Sequence, residues 1–75
     1  MEIINHIIMV DNVARILRKP HLKAEMVARI YVDGDYTIEG VMEHYGLTSS
    51  EVHSAIAYYY DNLQMLDAYY HQAFA

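Results

Sequence analysis

The chain has 75 residues, 55% of them apolar, with no cysteine and a formal net charge of −5. That length provides one small domain near the lower limit of a self-sufficient core, and the missing cysteines exclude disulfide staples and thiolate metal sites. No uninterrupted apolar run approaches the roughly 20 residues needed to cross a bilayer, and no charged-then-apolar leader opens the chain, so the expectation is a cytoplasmic protein with no membrane contact.

Charge is divided unevenly along the sequence. Residues 1–29 hold all five cations (Arg15, Arg18, Lys19, Lys23 and Arg29) against Glu2, Asp11 and Glu25. Residues 30–75 hold Asp33, Asp35, Glu39, Glu43, Glu51, Asp61 and Asp67 with nothing opposing them. Such a division points to two surfaces with different partners, a small basic one and a larger acidic one.

In chain order, Ile3–Val10 and Val13–Arg18 are β-branched-rich runs separated by Asp11-Asn12, which reads as a two-residue hairpin. Proline is suited to the first position of a helix, so Pro20 marks a helix start, with Leu22, Met26, Val27, Ile30 and Tyr31 as its apolar face. Asp33-Gly34-Asp35 ends it, the glycine supplying a left-handed cap. Thr37 caps the next helix, whose face is Ile38, Val41, Met42 and Tyr45, and Gly46 closes it. Thr48-Ser49-Ser50-Glu51 is then a complete capping box for a third helix. Two helices joined this tightly predict a helix-turn-helix, with Val41, Tyr45, Leu47, Val52 and Ala55 inside and Met42 where a smaller residue is usual.

Beyond it, Val52, Ile56, Tyr59, Leu63, Leu66, Tyr70 and Ala73 recur at seven-residue spacing with no proline or glycine between them. An unbroken helix from Ser49 to Phe74 would reach roughly 40 Å, longer than a domain of this size. Either it breaks near Asp61-Asn62 or its second half projects to another chain, and projection is the expectation adopted. The predicted fold is mainly α with a small N-terminal β-hairpin: a three-helix helix-turn-helix core with a long C-terminal helix. Its divisions are a single domain, 1–75, with the hairpin at 1–19, the core at 20–57 and a helical extension at 58–75.

A reading helix places its first residues in the major groove. Here those are Ser49, Ser50 and His53, with no arginine or asparagine to discriminate bases. Arg15, Arg18, Lys19 and Lys23 are the candidate phosphate contacts; the competing reading pairs them with the acidic half of the same chain. The five histidines show no ligand spacing, and no nucleophile motif or phosphate loop is present, so the expectation is no metal, no cofactor and no catalysis.

The stretch from Val13 to Asp61, about two thirds of the chain, resembles the domain-of-unknown-function 433 family, which includes antitoxins of the VapB type. Tyr45, Leu47, Thr48, Val52, His53, Ala55, Ala57, Tyr58, Tyr59 and Asp61 carry the resemblance. It departs at Arg18-Lys19-Pro20, where such proteins usually have a Gly-Thr-Arg turn. The resemblance implies a homodimer, a PIN-like ribonuclease toxin as partner, and autoregulation of the operon through operator DNA. With no arginine after Arg29 to enter the nuclease's carboxylate cluster, the expected toxin contact is Tyr59, Leu63, Leu66 and Tyr70, with Asp61 and Asp67 facing basic groups. The alternative is a stand-alone dimeric helix-turn-helix DNA-binding regulator without a toxin.

Overall fold

The structure, a computed structural model, describes residues 3, 4, 6–66 and 68. It is mainly α with a small N-terminal sheet. Strands β1 (Ile3–Ile4), β2 (Ile7–Val10) and β3 (Val13–Ile16) form an antiparallel sheet in that order, followed by α1 (Ala24–Val32), α2 (Ile38–Tyr45) and α3 (Ser49–Asp61).

The expected hairpin is present as β2–β3, with Val10 opposite Val13 and Ile7 opposite Ile16. Asp11 and Asn12 take positive φ angles of 51° and 67°, the requirement of a type I′ turn, which twists in the sense the strands need. Small polar side chains tolerate that region, so no glycine is required. One boundary differs from expectation. The run Ile3–Val10 is interrupted at His6 (φ 63°) and doubles back, so that Ile3 pairs with Ile8 and Ile4 with Ile7.

Helix α1 begins at Ala24, four residues later than Pro20. The chain after β3 continues to pair with it instead: the Ile16 N–H donates to the Leu22 carbonyl at 2.9 Å, and Arg15 bridges to Lys23. With Leu22 buried as the anchor, residues 17–21 close into a loop, and Pro20 lies within that loop. The buried row of α1 is also rotated. Ala24, Val27 and Ala28 are fully buried, whereas Met26 and Tyr31 are exposed. Helix α1 packs chiefly on α3, and small side chains at Ala24 and Ala28 allow close approach on its buried row.

The helix-turn-helix forms as expected. Thr37 Oγ1 accepts from the Gly40 N–H at 3.1 Å, and Gly46 caps α2 at φ 66°. Both halves of the Thr48–Glu51 capping box are made. Val41, Leu47, Val52 and Ala55 are buried with Ile7, Ala14 and Ile16 of the sheet in one core. Met42 and Tyr45 pack against it from the side.

The projecting C-terminal helix is not what the described residues show. Helix α3 stops at Asp61: Asn62 leaves helical geometry at φ −123° and ψ 25°. Its N–H is shared between the Tyr58 and Tyr59 carbonyls at 3.1 and 3.3 Å, and its Nδ2 also donates to the Tyr58 carbonyl at 3.0 Å. A further helical turn, 63–66, then returns Leu66 onto Ala28 and Tyr59. The described residues span 31 × 30 × 20 Å along their principal axes. Among the described residues no helix is long and apolar enough to cross a membrane.

Candidate functional site

Two regions carry the residues singled out in the sequence: the joint between the β3–α1 loop and the start of α3, and the far end of α3. The joint is built by Arg18. Its Nε donates to Glu51 Oε2 at 3.0 Å, and its Nη2 donates to Glu51 Oε1 at 2.7 Å and to the Gly46 carbonyl at 2.9 Å. Glu51 also accepts from the Thr48 N–H at 2.8 Å. These donors, Arg18 first, hold the Glu51 carboxyl down at about 2 against the opposing effect of its burial. The same bond raises the Arg18 guanidinium above its usual range.

Lys19 runs alongside. Its Nζ donates to the Tyr45 carbonyl at 2.9 Å, so two cations from one loop meet the carbonyl end of α2, where the helix dipole favours positive charge. Arg15 Nη1 donates to the Pro20 carbonyl at 3.1 Å within the same loop, and Lys23 is exposed at the bridge beside it. Arg15, Arg18 and Lys19 therefore all bond to the chain's own acceptors. For Arg18 the outcome matches the competing reading, an ion pair with the acidic half of the molecule.

Ser49, Ser50 and His53 are exposed together on the first turns of α3, as a reading helix requires. His53 Nδ1 lies 2.8 Å from the Ser49 carbonyl and 3.2 Å from Ser49 Oγ. A carbonyl can only accept, so Nδ1 carries the proton in this arrangement, and Nε2 takes no part in that bond. This surface offers hydroxyls and one imidazole.

At the far end of α3 the six residues assigned to a partner do not stay together. Tyr59 and Leu66 are buried, 4% and 7% exposed, against Ala28 of their own chain. Arg29 closes over them: its guanidinium carbon lies 5.1 Å from the Tyr59 ring centre, its Nη1 donates to Tyr59 Oη at 3.3 Å, and its Nε pairs with Glu25 at 2.8 Å. Assigning these two side chains to another molecule is therefore corrected, because the turn at Asn62 supplies them with a partner on α1. Leu63 and Asp61 are exposed, as a docking surface needs. Tyr70 and Asp67 lie outside the described residues.

Two exposed side chains here escaped the sequence reading, Tyr60 and Met65, at 55% and 43%. Their signal was their position: both are apolar and fall off the seven-residue seam. Also unforeseen is the row from Tyr36, just before α2, to His44 and Tyr45 at its end, with ring centres 5.1 and 4.7 Å apart. Among the described residues no three histidine or carboxylate side chains gather as a metal would require. Compared with protein-family models, with curated proteins and with solved structures, the chain finds no match.

Proposed function

We propose that this protein is an antitoxin-like interaction module. In this reading it works in the cytoplasm, binds a PIN-like ribonuclease toxin and neutralises it, using the end of α3 instead of the helix that would read bases. One observation carries the proposal. Tyr60, Leu63 and Met65 stand exposed beside Asp61 at the end of α3, while the loop arginine nearest the reading helix is tied to Glu51. Exposed aromatic and methionine side chains beside a carboxylate suit an apolar contact with a cationic rim.

The identity of the partner rests on the family resemblance of the stretch Val13 to Asp61. The test is co-expression with a small carboxylate-rich nuclease encoded beside this chain. Co-purification and restored growth are expected, and both should fail with Tyr60→Ala combined with Met65→Ala. Full neutralisation by that double variant would remove this surface from the mechanism. A truncation after Asn62 is a poorer test, since it strips Leu66 from the Ala28–Tyr59 cluster.

A second reading, a dimeric DNA-binding regulator acting with or without a toxin, draws on the exposed Ser49, Ser50 and His53 and on Lys23. A band-shift on the DNA upstream of the coding sequence separates the two. Retardation by the protein alone, lost with Lys23→Ala and Arg15→Ala, favours the regulator. The dimer common to both readings is checked by light scattering.

A further inference from the structure

An ion pair ties the β3–α1 loop to the start of α3. Arg18 is half exposed, 51% by side chain, whereas the Glu51 carboxylate behind it is 4% exposed. Two of the three guanidinium nitrogens face that carboxylate, and one of them also serves the Gly46 carbonyl. The backbone N–H of Thr48, at the start of α3, is bonded to the same carboxylate. Glu51 thus occupies both kinds of donor that a phosphate would use at this place, a guanidinium fork and a helix-start N–H. The neighbouring cation offers no substitute, because Lys19 is turned to Tyr45.

Affinity for DNA comes chiefly from cations that neutralise phosphates and release counterions. A guanidinium already neutralised by a bidentate carboxylate has little of that to contribute. We infer that Glu51 acts as an internal anion that holds Arg18 off nucleic acid, an autoinhibitory ion pair built into the helix-turn-helix. The inference goes beyond the protein-binding reading and shares with it only the Arg18–Glu51 pair. Its opposite is also a definite arrangement: a carboxylate can aim an arginine at a phosphate, in which case removing it weakens binding. The two differ in sign.

The test measures binding of the full chain to a short mixed-sequence DNA duplex over a salt series, with no protein partner present. Its result is therefore independent of whether a toxin is bound. Glu51→Gln keeps the capping box, since glutamine serves it equally. Freeing one cation should steepen the slope of log affinity against log salt by about 0.9, a roughly three- to fourfold larger loss between about 50 and 200 mM. Glu39→Gln, on the exposed face of α2, makes the same change in net charge without touching Arg18, and its slope should equal that of the unaltered protein. The charge-neutral double variant R18Q/E51Q should also bind like the unaltered protein.

A folded E51Q that binds no more steeply than E39Q, or does not bind at all, overturns the inference. So does an R18Q/E51Q variant weaker than the unaltered protein, since Arg18 would then already be touching DNA. Circular dichroism checks each variant, and should E51Q fail to fold, that double variant decides the question alone.

Discussion

Gly46 shows how one residue can be required twice. Its φ of 66° is a left-handed angle that costs an L side chain about 1–2 kcal/mol. A Cβ built there would also lie 2.6 Å from Lys19 Nζ, too close to coexist with the bond from Lys19 to the Tyr45 carbonyl. Lys19 Nζ is the far end of a flexible side chain and can swing aside, so any excess of Gly46→Ala over the backbone penalty, read as a lower urea midpoint, is at most the small one of exchanging that bond for water. The excess should vanish when Lys19 is also changed to alanine; an undiminished excess would separate Lys19 from the effect.

Glu51 makes a second prediction at this scale. Its carboxyl titrates near 4.5 when free and is held at about 2 in the fold. A lowered value means that the folded state prefers the carboxylate, so this stabilisation is complete above about 4.5 and is lost as pH falls through about 2. Urea unfolding measured over that window should show stability falling with pH, and E51Q should remove that part of the slope. Equal slopes for the two proteins would contradict the assignment.

Among the elements, the helix ends are the parts most legible in advance. Thr37, Gly46 and the Thr48–Glu51 box were recognisable from residue type because a cap is a bond between chain neighbours, three or four residues apart. Thr48→Ala should cost about 1 kcal/mol for the same reason. The Asp11-Asn12 turn was legible on similar grounds. Less could be read of α1. Its start depends on whether β3 keeps its pairing with Leu22 and Lys23, a competition that local propensity for proline at a helix start does not contain. Its buried face depends on alanines, Ala24 and Ala28, whose value is closeness of approach and which a search for large apolar side chains passes over. The end of α3 is the third case. Leu66→Ala should destabilise by about 2 kcal/mol in chemical denaturation, the lower end for a buried leucine, because among the described residues only Ala28 and Tyr59 are buried with it. An effect within about 0.5 kcal/mol, typical of a surface position, would place Leu66 outside the fold.

For the molecule as a whole, the accessible surface is 4978 Å². A monomeric protein of 8.7 kDa is expected to expose roughly 4,700 Å², so this chain meets most of its own demand for burial. The apolar excess in its composition is accommodated by small residues in the core and by tyrosines at its margin: Tyr45 and Tyr58 are half-buried, and burial raises both phenols. Any partner surface is therefore an addition to a folded unit. Tyr60→Ala and Met65→Ala should leave the unfolding midpoint within about 0.5 kcal/mol of the unaltered protein, as at other surface positions, while, on the proposed reading, abolishing binding of the partner. Loss of stability together with binding would mean that these side chains support the fold.

By itself the sequence determined the hairpin turn, the caps of α2 and the start of α3, the glycine between them, and Val41, Leu47, Val52 and Ala55 as buried positions of the helix-turn-helix, though not the half-buried Tyr45. All of these follow from bonds and periodicities among near neighbours. Only the tertiary structure decided that Arg18 serves Glu51, 33 residues away, and that Leu66 returns to α1, its carbonyl 3.5 Å from Arg29 Nη2 across 37 residues. A cation or a leucine declares its chemistry in the sequence. Its partner is chosen by which of several compatible groups the folded chain brings within reach.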